Sequence, residues 1–151
     1  MKSYYRAGII IAHLKTVWNG STKGTGTITA DKMDTQIAIP TVSGGSGDGA
    51  NPTDLLAASA ASCYAMTLIA LTAARKLPVI GLAMTTDAVN SKDKGLKIVH
   101  YPEVSLPESA TEEEIKFVER AFNTADMGCH IGNLLKRADA EIKIEGKITL
   151  I

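Results

Sequence analysis

The stretch LLAASAASCYAMTLIALTAA, residues 55–74, restricts this chain more than any other part of it. Twenty residues pass without a charge, between Asp54 and Arg75. That is long enough to span a bilayer. The run is rich in Ala, Ser and Thr, however, and strand patterns surround it on both sides. It reads instead as a central helix buried on all sides within a soluble protein. Asn51 caps its start and Pro52 takes the first helical position. The helix is predicted to run to about Lys76, with Pro78 just beyond.

The flanks must supply the cover. Before the helix, HLKTVW, TGTITA and DTQIAI alternate apolar and polar residues, with turn chemistry in NGSTKG and DKM between them. This predicts an antiparallel meander. Residues 7–14, AGIIIAHL, read as a further buried strand. No cleavage site follows them, so a cytoplasmic address is expected. The loop PTVSGGSGDGANP, residues 40–52, lacks the Gly-Lys-Ser/Thr ending of a phosphate-binding loop and breaks the dinucleotide pattern. It is read as a flexible loop bordering a pocket.

After the helix come two more strands, VIGLAMTTDAVN and LKIVHYPEVSL, turned by NSKDKG. Thr111 and Glu114 form a capping box for a second helix ending near residue 128. Its apolar positions are Ile115, Phe117, Val118 and Phe122. CHIGNLLKR predicts a short helical segment, and AEIKIEGKITLI a closing strand. The order is βββ-α-ββ-α-β, an α+β fold in a single domain, residues 1–151.

Charge narrows the function classes. The chain holds 16 basic and 16 acidic residues in 151, so it lacks the electrostatic footprint of a nucleic-acid binder. Neutrality also leaves little self-repulsion against association. The long apolar helix, with only one other long helix to cover it, predicts an obligate homodimer.

The reactive residues are two cysteines, Cys63 and Cys129, which form no Cys-x-x-Cys pair. Spacing alone leaves three readings open: two unrelated buried cysteines, a functional dithiol, or a zinc site with His130 or another histidine. No ligand cluster has the usual zinc spacing. Cys129 follows Gly128 at the start of the short helix, where the dipole and free N–H groups favour thiolate. Cys63 sits mid-helix among Ser59, Ala60, Ser62 and Tyr64, and burial there disfavours thiolate.

In NPTDLLAASAASC, Asn-Pro stands twelve residues before Cys63. The second cysteine follows in CHIGNLLK, ahead of the closing strand. These features resemble the OsmC/Ohr family, the osmotically inducible protein C and organic hydroperoxide resistance proteins. The segment WNGSTKGTGTITADKMDTQIAIP and the glycine-rich loop resemble its peroxiredoxin-like subfamily. The resemblance implies an intertwined homodimer with the long helix as its core. It implies a cysteine-based thiol peroxidase that reduces organic hydroperoxides in oxidative-stress defence. Cys63 would be the peroxidatic cysteine and Cys129 the resolving one, near enough to bridge. No bound cofactor is implied; an external dithiol such as dihydrolipoamide would be the reductant. Neither nucleic acid nor membrane is an implied partner.

Three departures stand out. The family's better-known members carry an activating arginine upstream of Asn-Pro. Eight residues before Asn51 this chain has Ser43, and residues 40–50 contain no arginine. The acidic residue after Asn-Pro is replaced by Thr53, with Asp54 next, and His130 stands where proline usually follows the second cysteine. Thr53, Asp54 and His130 are the candidate supporting residues. Lys32, Arg6 and His130 are the candidate substitutes for the missing cation. The alternative reading is a catalytically weak or inactive small-molecule binding or redox-sensing module on the same fold.

Overall fold

The computed structural model describes residues 5–6 and 9–151, with side chains from residue 11 onward. The chain divides into two compact units, residues 1–55 and 56–151.

In the first unit, β1 (Tyr5–Arg6) pairs antiparallel with β2 (Ile9–Ile10). Of the strand expected over 7–14, residues 7 and 8 lie outside the described residues. The pairing ends at Ile10, and Ile11 and Leu14 beyond it are exposed. Unladdered backbone needs water for its N–H and C=O groups, so a continuous buried strand does not form there. The meander follows as expected: β3 (Lys15–Asn19), β4 (Thr25–Ala30) and β5 (Met33–Ala38), all antiparallel.

The glycine-rich loop is pinned rather than loose. A short 3₁₀ turn, Thr41–Ser43, ends at Gly44 with φ at +83°. Gly45 N–H donates to Pro40 O at 3.0 Å and Gly47 N–H to Ile39 O at 3.0 Å. Ala50 N–H reaches Gln36 O at 2.9 Å, and the Lys23 ammonium donates to Gly45 O at 3.2 Å. The loop returns to β5 and delivers the chain to α1 (Pro52–Ala74), which opens in this unit and continues through the second.

The second unit is built on β7 (Gly95–Leu106), paired antiparallel along its length with β6 (Gly81–Ser91). Alternation places Ile98, His100, Val104 and Leu106 on the buried face of β7. The chain then crosses through α2 (Glu112–Gly128) and α3 (His130–Arg137) and returns parallel to β7. The single closing strand expected at the end is two: β8 (Glu141–Ile144) and β9 (Lys147–Leu150), in one continuous register on β7. The gap at Glu145–Gly146 faces Tyr101 and Pro102. Proline has no N–H for a ladder. Phe122 also presses on Gly146 so closely that any Cβ there would enter its ring.

Helix α1 departs from the expectation of burial on every side. Only Ala60, Tyr64, Leu68 and Thr72 are buried, one position per turn. Of these, Tyr64 and Leu68 belong to one core with Val118, Ala121, Phe122 and Ala125 of α2 and with Val104 and Leu106. Leu56, Met66 and Ile69 are exposed. A helix inside a unit this small has one neighbour layer, so it needs only one inward stripe.

Candidate active site

Helix α1 is started by a reciprocal cap. Asn51 Oδ1 accepts from Asp54 N–H and Asp54 Oδ2 from Asn51 N–H, both at 3.0 Å. Twelve residues on, Cys63 is half-buried beside the inward stripe, next to Tyr64. Its carbonyl accepts from the Thr67 hydroxyl at 2.8 Å, a bond along the helix one turn later.

Cys129 occupies the elbow between α2 and α3 and ends one helix while starting the next. Its N–H donates to Asp126 O at 3.3 Å, and its carbonyl accepts from Asn133 N–H at 2.9 Å. Its sulfur caps α3 by accepting from Gly132 N–H at 3.4 Å. A Cβ on residue 132 would stand 3.2 Å from that sulfur, so glycine lets the backbone approach it. Cys129 is 2% exposed.

Cys63 packs against the buried cluster that holds Cys129. Burial pushes the Cys129 thiol up to about 11, against the lowering pull of Gly132 N–H, and the nearby Cys63 and Asp126 push the same way. Cys129 is therefore a protonated thiol at neutral pH. The thiolate expected from its helix-start position is overruled by desolvation, which outweighs one N–H donor.

Around the pair lies a polar layer that the cysteine spacing does not reveal. The Tyr64 ring stacks on His100, with centroids 5.2 Å apart and planes 19° from parallel. The Tyr64 hydroxyl donates to Phe122 O at 3.0 Å. Burial, then the charges of Asp126 and Cys129, hold that hydroxyl far above the ordinary tyrosine range, so it acts as a neutral donor. His100 is 2% exposed, its Nδ1 2.8 Å from the Thr86 hydroxyl. Burial lowers its proton affinity, with Asp126 opposing. Asp126 itself meets the Lys136 ammonium at 2.7 Å.

The other candidates fall elsewhere. His130 is exposed. Asp54 serves as the α1 cap. Thr53 is half-buried and lines a cleft of about 460 Å³ in the first unit, with Trp18, Ile37, Pro40, Ser43 and Asn51. Lys32 is exposed in the turn between β4 and β5. The Arg6 side chain lies outside the described residues.

Residues 45–145, which include both cysteines, match the family model described as OsmC-like protein. The chain belongs to the OsmC-like protein family. The OsmC-like chain is 31% identical over 144 residues to a protein of Bacillus subtilis named "Uncharacterized protein YmaD", covering 89% of this chain and 96% of that one. Its α+β fold is shared with solved OsmC-like structures. An OsmC-like protein from Mycoplasma pneumoniae superposes with a TM-score of 0.67 at 22% identity, over 93% of this chain and 97% of that one. The organic hydroperoxide resistance protein OhrB of Bacillus subtilis gives 0.54 at 23% identity, over 89% and 98%. At these identities the likeness is one of fold. Within this OsmC-like fold, His100 had one signal in the sequence: it shares the alternating row of Ile98 and Val104 on β7. Asp126 and Lys136 had none, because only the α2–α3 elbow brings them together.

Proposed function

We propose that this protein is a cysteine-based thiol peroxidase that reduces organic hydroperoxides. One observation carries the reading: two thiols distant in sequence meet in one core cluster, one half-buried and one fully buried. Membership of the OsmC-like family agrees with it. The deprotonated sulfur of Cys63 attacks the terminal oxygen of ROOH and the O–O bond breaks. The alkoxide leaves as ROH after taking a proton, and Cys63 becomes a sulfenic acid. The Cys129 sulfur then attacks the sulfenic sulfur. A disulfide forms, and the hydroxyl leaves with the Cys129 proton as water. An external dithiol exchanges with that disulfide, restores both thiols and is itself oxidised.

Mass spectrometry after one equivalent of cumene hydroperoxide tests this. Cys63→Ser should lose peroxide consumption entirely. Cys129→Ser should react once and leave a sulfenic acid on Cys63 that a dimedone-type probe traps. An oxygen adduct on Cys129 in Cys63→Ser, formed at the wild-type rate, would reverse the roles. A second reading has its own support in the absence of arginine from residues 40–50. It is a small-molecule binding or redox-sensing module. It takes over if the wild type reacts no faster than free cysteine.

A further inference from the structure

We propose that the Gly132 N–H is the group that holds negative charge on the Cys129 sulfur when that thiol reacts, and that residue 132 is glycine so that this N–H can reach it. The step it serves, attack on oxidised Cys63, rests on the peroxidase reading; the hydrogen bond does not.

Two observations meet at this sulfur. The first is what it binds. Gly132 is the third residue of α3, and its N–H donates to the Cys129 sulfur at 3.4 Å. As an N–H of the first turn it has no carbonyl of its own helix to bond, so the sulfur is its partner. The next N–H along, that of Asn133, does reach a carbonyl, Cys129 O at 2.9 Å.

The second is the residue type. Glycine weakens a helix relative to alanine, and residue 132 lies within α3. Its backbone is outside the left-handed region that would call for glycine. A Cβ there would stand 3.5 Å from Cys129 Cβ and 3.6 Å from Ile142 Cδ1, both ordinary contacts. It would stand 3.2 Å from the sulfur, which would have to give way. The sulfur is thus the neighbour that excludes a side chain.

The chemistry depends on the charge of the sulfur. A thiol sulfur is a weak acceptor. A thiolate is a charged one, and hydrogen bonds to charged partners are roughly twice as strong. An interaction that strengthens as charge develops accelerates the step in which it develops. Burial, Cys63 and Asp126 push the Cys129 thiol towards its protonated form, and the Gly132 N–H pulls the other way. When the Cys129 sulfur attacks the Cys63 sulfenic acid, the S–S bond forms and the S–O bond breaks. The thiol proton leaves with the hydroxyl as water. The Gly132 N–H keeps its own proton throughout.

The test has two arms, and no hydroperoxide enters either. The first reads amide hydrogen exchange in the reduced protein by NMR. Cys129→Ala should speed exchange at Gly132 severalfold and leave Asn133, whose acceptor is a backbone carbonyl, unchanged. Unchanged exchange at Gly132, or equal acceleration at Asn133, overturns the proposal. If Cys129→Ala fails to fold, the residue-132 amide of Gly132→Ala is read instead. It should exchange faster than in the parent, and equal or slower exchange overturns the proposal. The second arm uses the Cys63→Ser protein, in which Cys129 is the remaining thiol. It is alkylated at about pH 8 with iodoacetamide and, separately, with the bulkier N-ethylmaleimide. Gly132→Ala should slow both reagents by the same factor, about tenfold for each unit the thiol's titration rises. A methyl that merely loosened the packing would speed both. One that merely shielded the sulfur would slow the bulkier reagent more. Either result, or no change, overturns the proposal. A wild type inert to cumene hydroperoxide would sink the peroxidase reading and leave the role of Gly132 to be decided by these two arms.

Discussion

His100 makes the buried layer beneath the thiols sensitive to acid. Burial lowers its proton affinity in the folded state, so below its ordinary value of about 6.5 the unfolded chain binds a proton that the folded chain does not. Stability from neutral His100 is present above about pH 6.5 and is lost as pH falls from there towards the lowered native value. Thermal melts from neutral to mildly acidic pH should therefore show a falling Tm. His100→Asn should flatten that slope while lowering the plateau. An unchanged slope in the variant would assign the acid sensitivity to other groups. The helix carrying Cys63 was legible in the sequence, because its small-residue composition and its Asn51 cap are local. The protonation of Cys129 was not. Position within α3 argued one way, and the depth of packing from α1, which argued the other, is a property of the assembled unit.

At the scale of elements, α2 is the part whose sequence and structure agree most closely. The Thr111 hydroxyl accepts from Glu114 N–H at 3.2 Å, and Glu114 returns the bond to Thr111 N–H at 2.8 Å. Thr111→Ala should cost about 1 kcal/mol of stability in urea unfolding, with an unchanged m-value. The interruption between β8 and β9 was hidden for the opposite reason. The segment AEIKIEGKITLI alternates throughout, and its break answers to Pro102 on the neighbouring strand and Phe122 on α2. Gly146→Ala would force its methyl into the Phe122 ring. Overpacking of this kind costs about 1–3 kcal/mol, and the same urea titration would detect it. A variant as stable as the parent would mean that the Phe122 ring yields freely.

For the whole molecule, the exposed apolar residues of α1 bear on the homodimer expected from the sequence. Leu56, Met66 and Ile69 are 38%, 71% and 42% exposed, an unusual surface for a single helix in water. Sedimentation should give a dimer at micromolar concentration, and Met66→Glu should weaken it; a stable, well-folded wild-type monomer would contradict this. The homodimer expectation came from reading α1 as apolar on all sides, whereas one stripe of it, Ala60, Tyr64, Leu68 and Thr72, is buried. Within the second unit, the adjacency of Cys63 and Cys129 also bears on chain entropy. The two lie 66 positions apart (129 − 63), with β6, β7 and the whole of α2 strung between them. A bridge joining them would turn most of that unit into a covalent ring. In the loop-closure model, such a ring disfavours the unfolded chain by about 4 kcal/mol. The oxidised protein should then melt later than the reduced one. Any dithiol that reopens the ring must overcome that folding advantage as well as the bond, so the fold itself would bias the choice of reductant towards strong ones.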